Sequence, residues 1–184
     1  DILYYYRDNE YHDGGDGLDT LSLYYATTDA SINLADKTGQ IGGDEISIRK
    51  IENIDGSDYN DILIGDAADN IIAGMDGADT ITGGAGADTF AFYSDSAFND
   101  VDTITDFNIA EGDVLDMSDI LTGYDPLADA LSDFVSVTDD GTDSFVAVDI
   151  DGTGTEYTFV KIATLEDITG LAAAALIANQ HLIV

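Results

Sequence analysis

Between residues 54 and 90 one apolar side chain recurs every nine positions, at Ile54, Leu63, Ile72, Ile81 and Phe90. Four gapless units carry the last four of these: GSDYNDILI from Gly56, GDAADNIIA from Gly65, GMDGADTIT from Gly74 and GGAGADTFA from Gly83. Every unit opens on glycine, and its sixth position is Asp61, Asn70, Asp79 or Asp88. A unit therefore divides into a six-residue turn rich in Gly and Asp and a three-residue strand with an apolar middle side chain between two neighbours free to face out. Three residues cannot carry the chain back to its start, so each unit is half a coil and eighteen residues complete one. Stacked half-coils make two parallel sheets, with the position-eight column filling a thin core between them.

The flanks read differently. A detached unit, GGDGLDTLS from Gly14, puts Asp19 and Leu21 in the acidic and apolar columns but out of phase with the array. Between it and Gly56, alternating Tyr, Ile and Leu interrupted by DKTGQIGGD predicts a strand excursion. Beyond Phe90 the period stops. DPLADALSDF predicts a short helix with Asp125 as N-cap and Pro126 in its first position. FVSVT, SFVAVDI and EYTFVKI predict three strands joined by DDGTD and DGTGT turns. Thr164 is expected to cap a turn near Asp167, and TGLAAAALIANQ to form a helix that Asn179 stops. The expected division is 1–55 (strands and one repeat), 56–91 (the repeat array) and 92–184 (a C-terminal cap).

Stacking sets each turn above the turn two units away, pairing Asp61 with Asp79 and Asn70 with Asp88. Two carboxylates about 4 Å apart repel by roughly 1 kcal/mol in water and about 4 kcal/mol at an effective dielectric near 20. Composition sharpens the problem: 38 acids face 5 bases, for a formal net charge of −33, and no Lys or Arg occurs between Ile51 and Val160. A cation from outside has to balance this field. Carboxylate and carbonyl oxygens without His or Cys form a hard cage suited to Ca²⁺, which takes roughly 6–8 oxygens in flexible geometry, whereas Mg²⁺ demands stricter octahedral order. Nucleic-acid phosphates and anionic lipids are repelled by such a chain.

These units resemble the repeats-in-toxin (RTX) nonapeptide G-G-x-G-x-D-x-U-x, which GGAGADTFA matches throughout. The second unit departs most, with Ala68 and Asn70 where Gly and Asp are expected, so its site is predicted to be weaker or differently filled. The resemblance covers about residues 13–120 and implies an all-β-dominated fold: a parallel β-roll with flanking strands, a capping β region and short helices. It implies Ca²⁺ as cofactor, held by Asp61, Asn70, Asp79, Asp88 and Asp19. Gly56, Asp58, Gly65, Ala67, Gly74, Asp76, Gly77, Gly83 and Gly86 contribute, several through backbone carbonyls. The segment DVDTITDFNIAEGDVLDMSDIL is similar to the cap that follows such repeats, with Phe107 closing the open end of the core. Asp102, Asp106, Asp113 and Asp116 in it fit a further cation or solvated turns equally. Asp149 and Asp151 could also ligate, but DIDGTG lacks the final Glu of a helix-flanked calcium loop and reads better as a β-turn. The Ala-rich helix followed by HLIV resembles an uncleaved C-terminal signal for type I secretion.

Chemistry beyond cation binding finds little footing. The two histidines, His12 and His181, lie near opposite ends, and neither a zinc-binding H-E-x-x-H nor a G-x-S-x-G elbow occurs. The ten tyrosines, clustered at Tyr4–Tyr6 and Tyr24–Tyr25, are read as packing residues rather than a sugar platform. The absence of Cys excludes disulfides and thiolate metal sites. No apolar run reaches the roughly 20 residues of a membrane span. The opening DILYYYRDNEY is not a secretory signal and is expected to be the start of an excised fragment. The expectation is a non-enzymatic, extracellular calcium-binding module of a Gram-negative bacterium, exported by type I secretion machinery at the end of a large cell-surface adhesin that serves biofilm formation or attachment. The alternatives are the tail of an exported protease, lipase or polysaccharide-modifying enzyme, or a calcium-dependent carbohydrate binder.

Overall fold

A computed structural model describes residues 1–6, 11–94, 96–152, 154, 158–178 and 180–184. The nine-residue units fold as half-coils, and each short strand lies beside the strand eighteen residues away: Ile71 opposite Asn53, Thr89 opposite Ile71 and Thr80 opposite Ile62. Two sheets result. One has seven strands, all parallel, in the order Ile2–Tyr4, Thr20–Ser22, Asn53–Asp55, Ile71–Ala73, Thr89–Ala91, Val114–Asp116 and Leu182–Ile183. The other has ten strands. Its parallel centre comprises Val160–Leu165, Asp102–Ile104, Thr80–Thr82, Ile62–Ile64 and Ala30–Asn33. Antiparallel strands flank that centre on both sides.

The position-eight column occupies the space between the sheets. Ile54, Leu63, Ile72, Ile81 and Phe90 are buried, while Ile62 and Ile71, one residue earlier, face solvent. Burying such a side chain is worth roughly 1.5–3 kcal/mol, and every rung adds one. The fold is thus a mostly-strand parallel β-roll. The strand excursion is the antiparallel meander Ala30–Asn33, Thr38–Ile41 and Asp44–Arg49. It accounts for the phase slip of the detached unit, because Thr20–Ser22 joins the same sheet as Asn53–Asp55 once the meander is passed.

The segment beyond Phe90 does not simply cap the roll. Asp102-Thr103-Ile104 and Asp113-Val114-Leu115 repeat the acid, spacer and apolar pattern, and they form two further rungs. Phe107 is buried with its ring centroid 6.0 Å from that of Phe90, but it closes no end. The stack continues past it through Leu115 to Leu182 and through Ile104 to Leu165. Both sheets run without a break across residues 55/56 and 91/92.

Other local expectations change. Asp125 caps one turn through Leu127 N–H to its Oδ1 at 2.9 Å, yet only the 3₁₀ turn Leu131–Asp133 follows. Phe134 and Val135, buried with the strand Val135–Asp139, pull the chain extended before a helix can propagate. Thr164 caps nothing, because it lies inside Val160–Leu165 between Thr103 and Phe145. That strand starts later than EYTFVKI suggested, and Glu156 and Tyr157 lie outside the described residues. The Ala-rich helix spans Ala173–Ala178, and Asn179 lies outside the described residues. No helix among the described residues is long and apolar enough to cross a membrane.

Candidate metal centre

The position-six side chains form two ladders, one along each edge of the roll. On the first, Ala30 N–H donates to Asp61 Oδ1 at 2.7 Å, Asp61 N–H to Asp79 Oδ1 at 2.7 Å, and Asp79 N–H to Asp102 Oδ1 at 3.0 Å. On the second, Asp19 N–H donates to Glu52 Oε2 at 2.9 Å, Asn70 N–H to Asp88 Oδ1 at 2.9 Å, and Asp88 N–H to Asp113 Oδ1 at 3.0 Å. Glu52, Asp61, Asp79, Asp88, Asp102 and Asp113 each satisfy the amide of a neighbouring rung, which is why the strands of the four units and Asn53–Asp55 are each entered from an Asp, Asn or Glu. Glu52 is a ladder residue that sequence reasoning passed over. The signal was present, since Glu52 stands two residues before Ile54, the first member of the apolar column.

The same stacking buries charge. Asp19, Asp61, Asn70, Asp79 and Asp88 are each 1% exposed. Burial pushes the Asp79 carboxyl well above the usual carboxylate range, and the neighbouring Asp102 and Asp61 carboxylates add to the shift. Asp102 is raised chiefly by burial, then by Asp100. Asp88 is pushed up to about 6 by burial, with Asp113, Asp106 and Asp69 contributing. Burial likewise raises Asp61 and Asp113. Desolvation and like charge act in the same direction, so the ionised ladder is held against its own electrostatics.

The glycines at position one allow the turns to approach. A Cβ on Gly56 would collide with the carbonyl oxygen of Gly74, and one on Gly65 with that of Gly83. Gly77 has φ +113° and lies against the Tyr59 carbonyl, as Gly86 with φ +120° lies against that of Ala68. Asp58 and Asp76 stand on the outside of their turns with Asp29 and Asp100, lining an open groove, and Ala67 is exposed on the other edge. Among the described residues no three His, Cys, Asp or Glu side chains converge on one point. The carboxylates are strung in single file, with backbone carbonyls crowded between them.

This donor set fits a calcium ion. Asp79 Oδ2 and Asp88 Oδ2 are buried with no hydrogen-bond donor, the condition a cation relieves. Asp19 Oδ2 is in the same condition, with the Asp1 ammonium 2.8 Å from its Oδ1, whereas Asp106, Asp116 and Asp149 have partners. Asp106 accepts Gly83 N–H at 2.8 Å and Gly84 N–H at 2.9 Å, and Asp116 accepts the N–H and hydroxyl of Ser118. Asp149 accepts Asp151 N–H at 3.2 Å in the turn after Ser144–Val148. The histidines stay apart: His12 lies on the edge strand Tyr11–Asp13, and His181 Nδ1 sits 2.7 Å from the Asp113 carbonyl at the far end of the other sheet.

Residues 55–90 match the RTX calcium-binding nonapeptide repeat, in four copies. No curated protein matches the chain. Two solved structures from the Azotobacter vinelandii mannuronan C5-epimerase are similar to it. The AlgE6R3 subunit is 22% identical with a TM-score of 0.46, over 92% of this chain and 80% of that one. The AlgE6R2 subunit is 25% identical with a TM-score of 0.34, over 71% and 91%. The central rungs of both acidic ladders thus belong to a stretch, residues 55–90, that matches RTX calcium-binding nonapeptide repeats.

Proposed function

We propose that this chain is a calcium-dependent folding module at the C-terminal end of a large secreted adhesin, and that it carries the signal for type I secretion. The observation that supports the reading best is the pair of buried, donorless carboxylate oxygens on Asp79 and Asp88 in a chain of net charge −33. Bound Ca²⁺ supplies the positive charge and oxygen bonding that the chain itself lacks. Where calcium is scarce, as in the cytosol, the Asp61–Asp79–Asp102 ladder opposes its own closure and the chain stays extended enough to be threaded through an exporter. Extracellular modules bind Ca²⁺ with dissociation constants of about 10⁻⁴–10⁻³ M. A tenfold excess over that constant, reached by millimolar Ca²⁺ at the tighter end, stabilises the fold by about 1.4 kcal/mol per site. Folding outside then discourages return.

The last residues support the export half of the reading. Leu182 and Ile183 are the end rung of the seven-stranded sheet, beside Leu115 and Asp116, so a signal in this tail is legible only before the roll closes. The acid-rich composition and the DTITDFN…GDVLDMSDIL segment point to an adhesin rather than an enzyme upstream. Two measurements test the proposal. Far-UV circular dichroism at neutral pH and physiological temperature is expected to show a coil spectrum in chelator, above the melting temperature of the metal-free fold, and a β spectrum in millimolar Ca²⁺; a full β spectrum in chelator under these conditions overturns calcium-dependent folding. Export from a host with a type I exporter is expected to stop when residues 171–184 are removed; undiminished export overturns the signal.

A further inference from the structure

Five turns in this chain open on glycine and end on a position-six acid or amide: 14–19, 56–61, 65–70, 74–79 and 83–88. They adopt two conformations. In 56–61 and 65–70 the second residue closes the turn on itself. Ser57 donates its N–H to Asp61 Oδ2 at 2.7 Å, with its hydroxyl 2.9 Å from the same oxygen, and Asp66 N–H reaches Asn70 Oδ1 at 2.8 Å. The Asn70 amide also donates to the Glu52 carbonyl at 2.7 Å, a hydrogen bond that a carboxylate could not make.

The other three turns are open. Their second and fourth residues all have positive φ: Gly15 and Gly17 at 98° and 124°, Met75 and Gly77 at 72° and 113°, Gly84 and Gly86 at 103° and 120°. Met75 adopts this conformation although it is not glycine, which L residues do rarely. With the backbone so turned, Gly84 N–H points to Asp106 Oδ2 at 2.9 Å and not to Asp88. Asp19, Asp79 and Asp88, each 1% exposed, all keep an Oδ2 with no hydrogen-bond donor, while Oδ1 is engaged by Asp61 N–H on Asp79, by Asn70 N–H on Asp88 and by the Asp1 ammonium at 2.8 Å on Asp19. Neighbouring carbonyls crowd the same turns: Lys50 O against Gly14, Tyr59 O against Gly77 and Ala68 O against Gly86.

We infer that three of the five turns hold calcium, 14–19, 74–79 and 83–88, with Asp19, Asp79 and Asp88 ligating through Oδ2, while 56–61 and 65–70 are closed by their own hydrogen bonds and supply no side-chain ligand. The repeats are therefore not equivalent, and one metal-holding turn lies outside the four matched copies. The fourth position separates the classes: Gly17, Gly77 and Gly86 in the open turns, Tyr59 and Ala68 in the closed ones. A side chain at position four disfavours positive φ, and the second residue then turns its N–H inward.

The assignment rests on the calcium reading above, and native mass spectrometry of the full chain in Ca²⁺ separates the two. A wild-type chain that carries no ion defeats the reading itself. With ions bound, D19N, D79N and D88N are each expected to carry one ion fewer than wild type, and D61N the wild-type number. Loss of an ion from D61N, or the full number on D79N and D88N, overturns the assignment. Should the loss variants fail to fold, the double variant Ser57→Gly, Tyr59→Gly decides, since opening turn 56–61 is expected to add one ion and no gain overturns the assignment.

Discussion

Asp79 has a carboxylate above and below it in the ladder and forms no ion pair with a base among the described residues, so its proton is the nearest available substitute for a metal. The sign of the pH dependence follows. Asp79, Asp88 and Asp102 all have carboxyl pKa values raised in the folded chain, so each contributes stability that is complete below the unfolded value near 3.8 and lost as pH rises through the folded value. For Asp88 that window runs from about 4 to about 6, and for Asp79 and Asp102 it extends higher. Metal-free protein is therefore expected to melt at its highest temperature near pH 4 and at progressively lower ones toward pH 8. Calcium competes with those protons, so the rise in melting temperature on adding Ca²⁺ is expected to be smallest at the acid end. Thermal melts followed by circular dichroism from pH 4 to 8, with and without Ca²⁺, check both trends. A metal-free melting temperature that climbs with pH would remove the buried ladder as the source of the instability.

Single strands of three residues have little stability of their own, and what fixes them is one inward side chain each. Ile81→Ala, in the repeat array, and Ile104→Ala, beyond it, are both expected to cost about 2–5 kcal/mol, since both side chains are essentially inaccessible. Ile71→Ala, on the outward face at 44% exposure, is expected to stay within about 0.5 kcal/mol. Urea unfolding at saturating Ca²⁺ measures all three, and a small effect at Ile104 would mean that its rung is not part of the roll. The comparison also marks what the sequence made legible. Rungs eighteen residues apart announced themselves, and with them the core column and the acidic ladder of Asp61, Asn70, Asp79 and Asp88. The rungs at Asp102 and Asp113 did not, because the loops before them lengthen the step to 23 and 25 residues, although each keeps the acid two places before its apolar residue. Val160–Leu165 was placed a few residues early, since pairing with Asp102–Ile104 rather than local alternation sets its register. The split between open and closed turns depends on backbone φ at Met75 and Gly77, which composition hints at only through the fourth position.

At the scale of the whole chain, the parallel stack from Ile2–Tyr4 to Leu182–Ile183 is one row of nearest-neighbour contacts, and the net charge of −33 is spread along it. A solenoid gains stability rung by rung, while repulsion among charges on successive turns is felt over several rungs. Screening reaches these terms unequally. At 0.15 M ionic strength the Debye length is about 8 Å, longer than the roughly 4.8 Å between adjacent strands, whereas at 1 M it is about 3 Å and shorter than that step. Sodium chloride is therefore expected to stabilise the metal-free fold steadily between these two concentrations, raising its melting temperature in chelator. The same salt is expected to weaken Ca²⁺ binding, because the field that attracts the cation is being screened. Calorimetric titration of Ca²⁺ at both salt concentrations, beside thermal melts in chelator, reads the two effects in opposite directions. If salt left the metal-free melting temperature unchanged, repulsion between turns would not be what holds the roll open, and the buried, donorless oxygens of Asp79 and Asp88 would have to account for the calcium requirement alone.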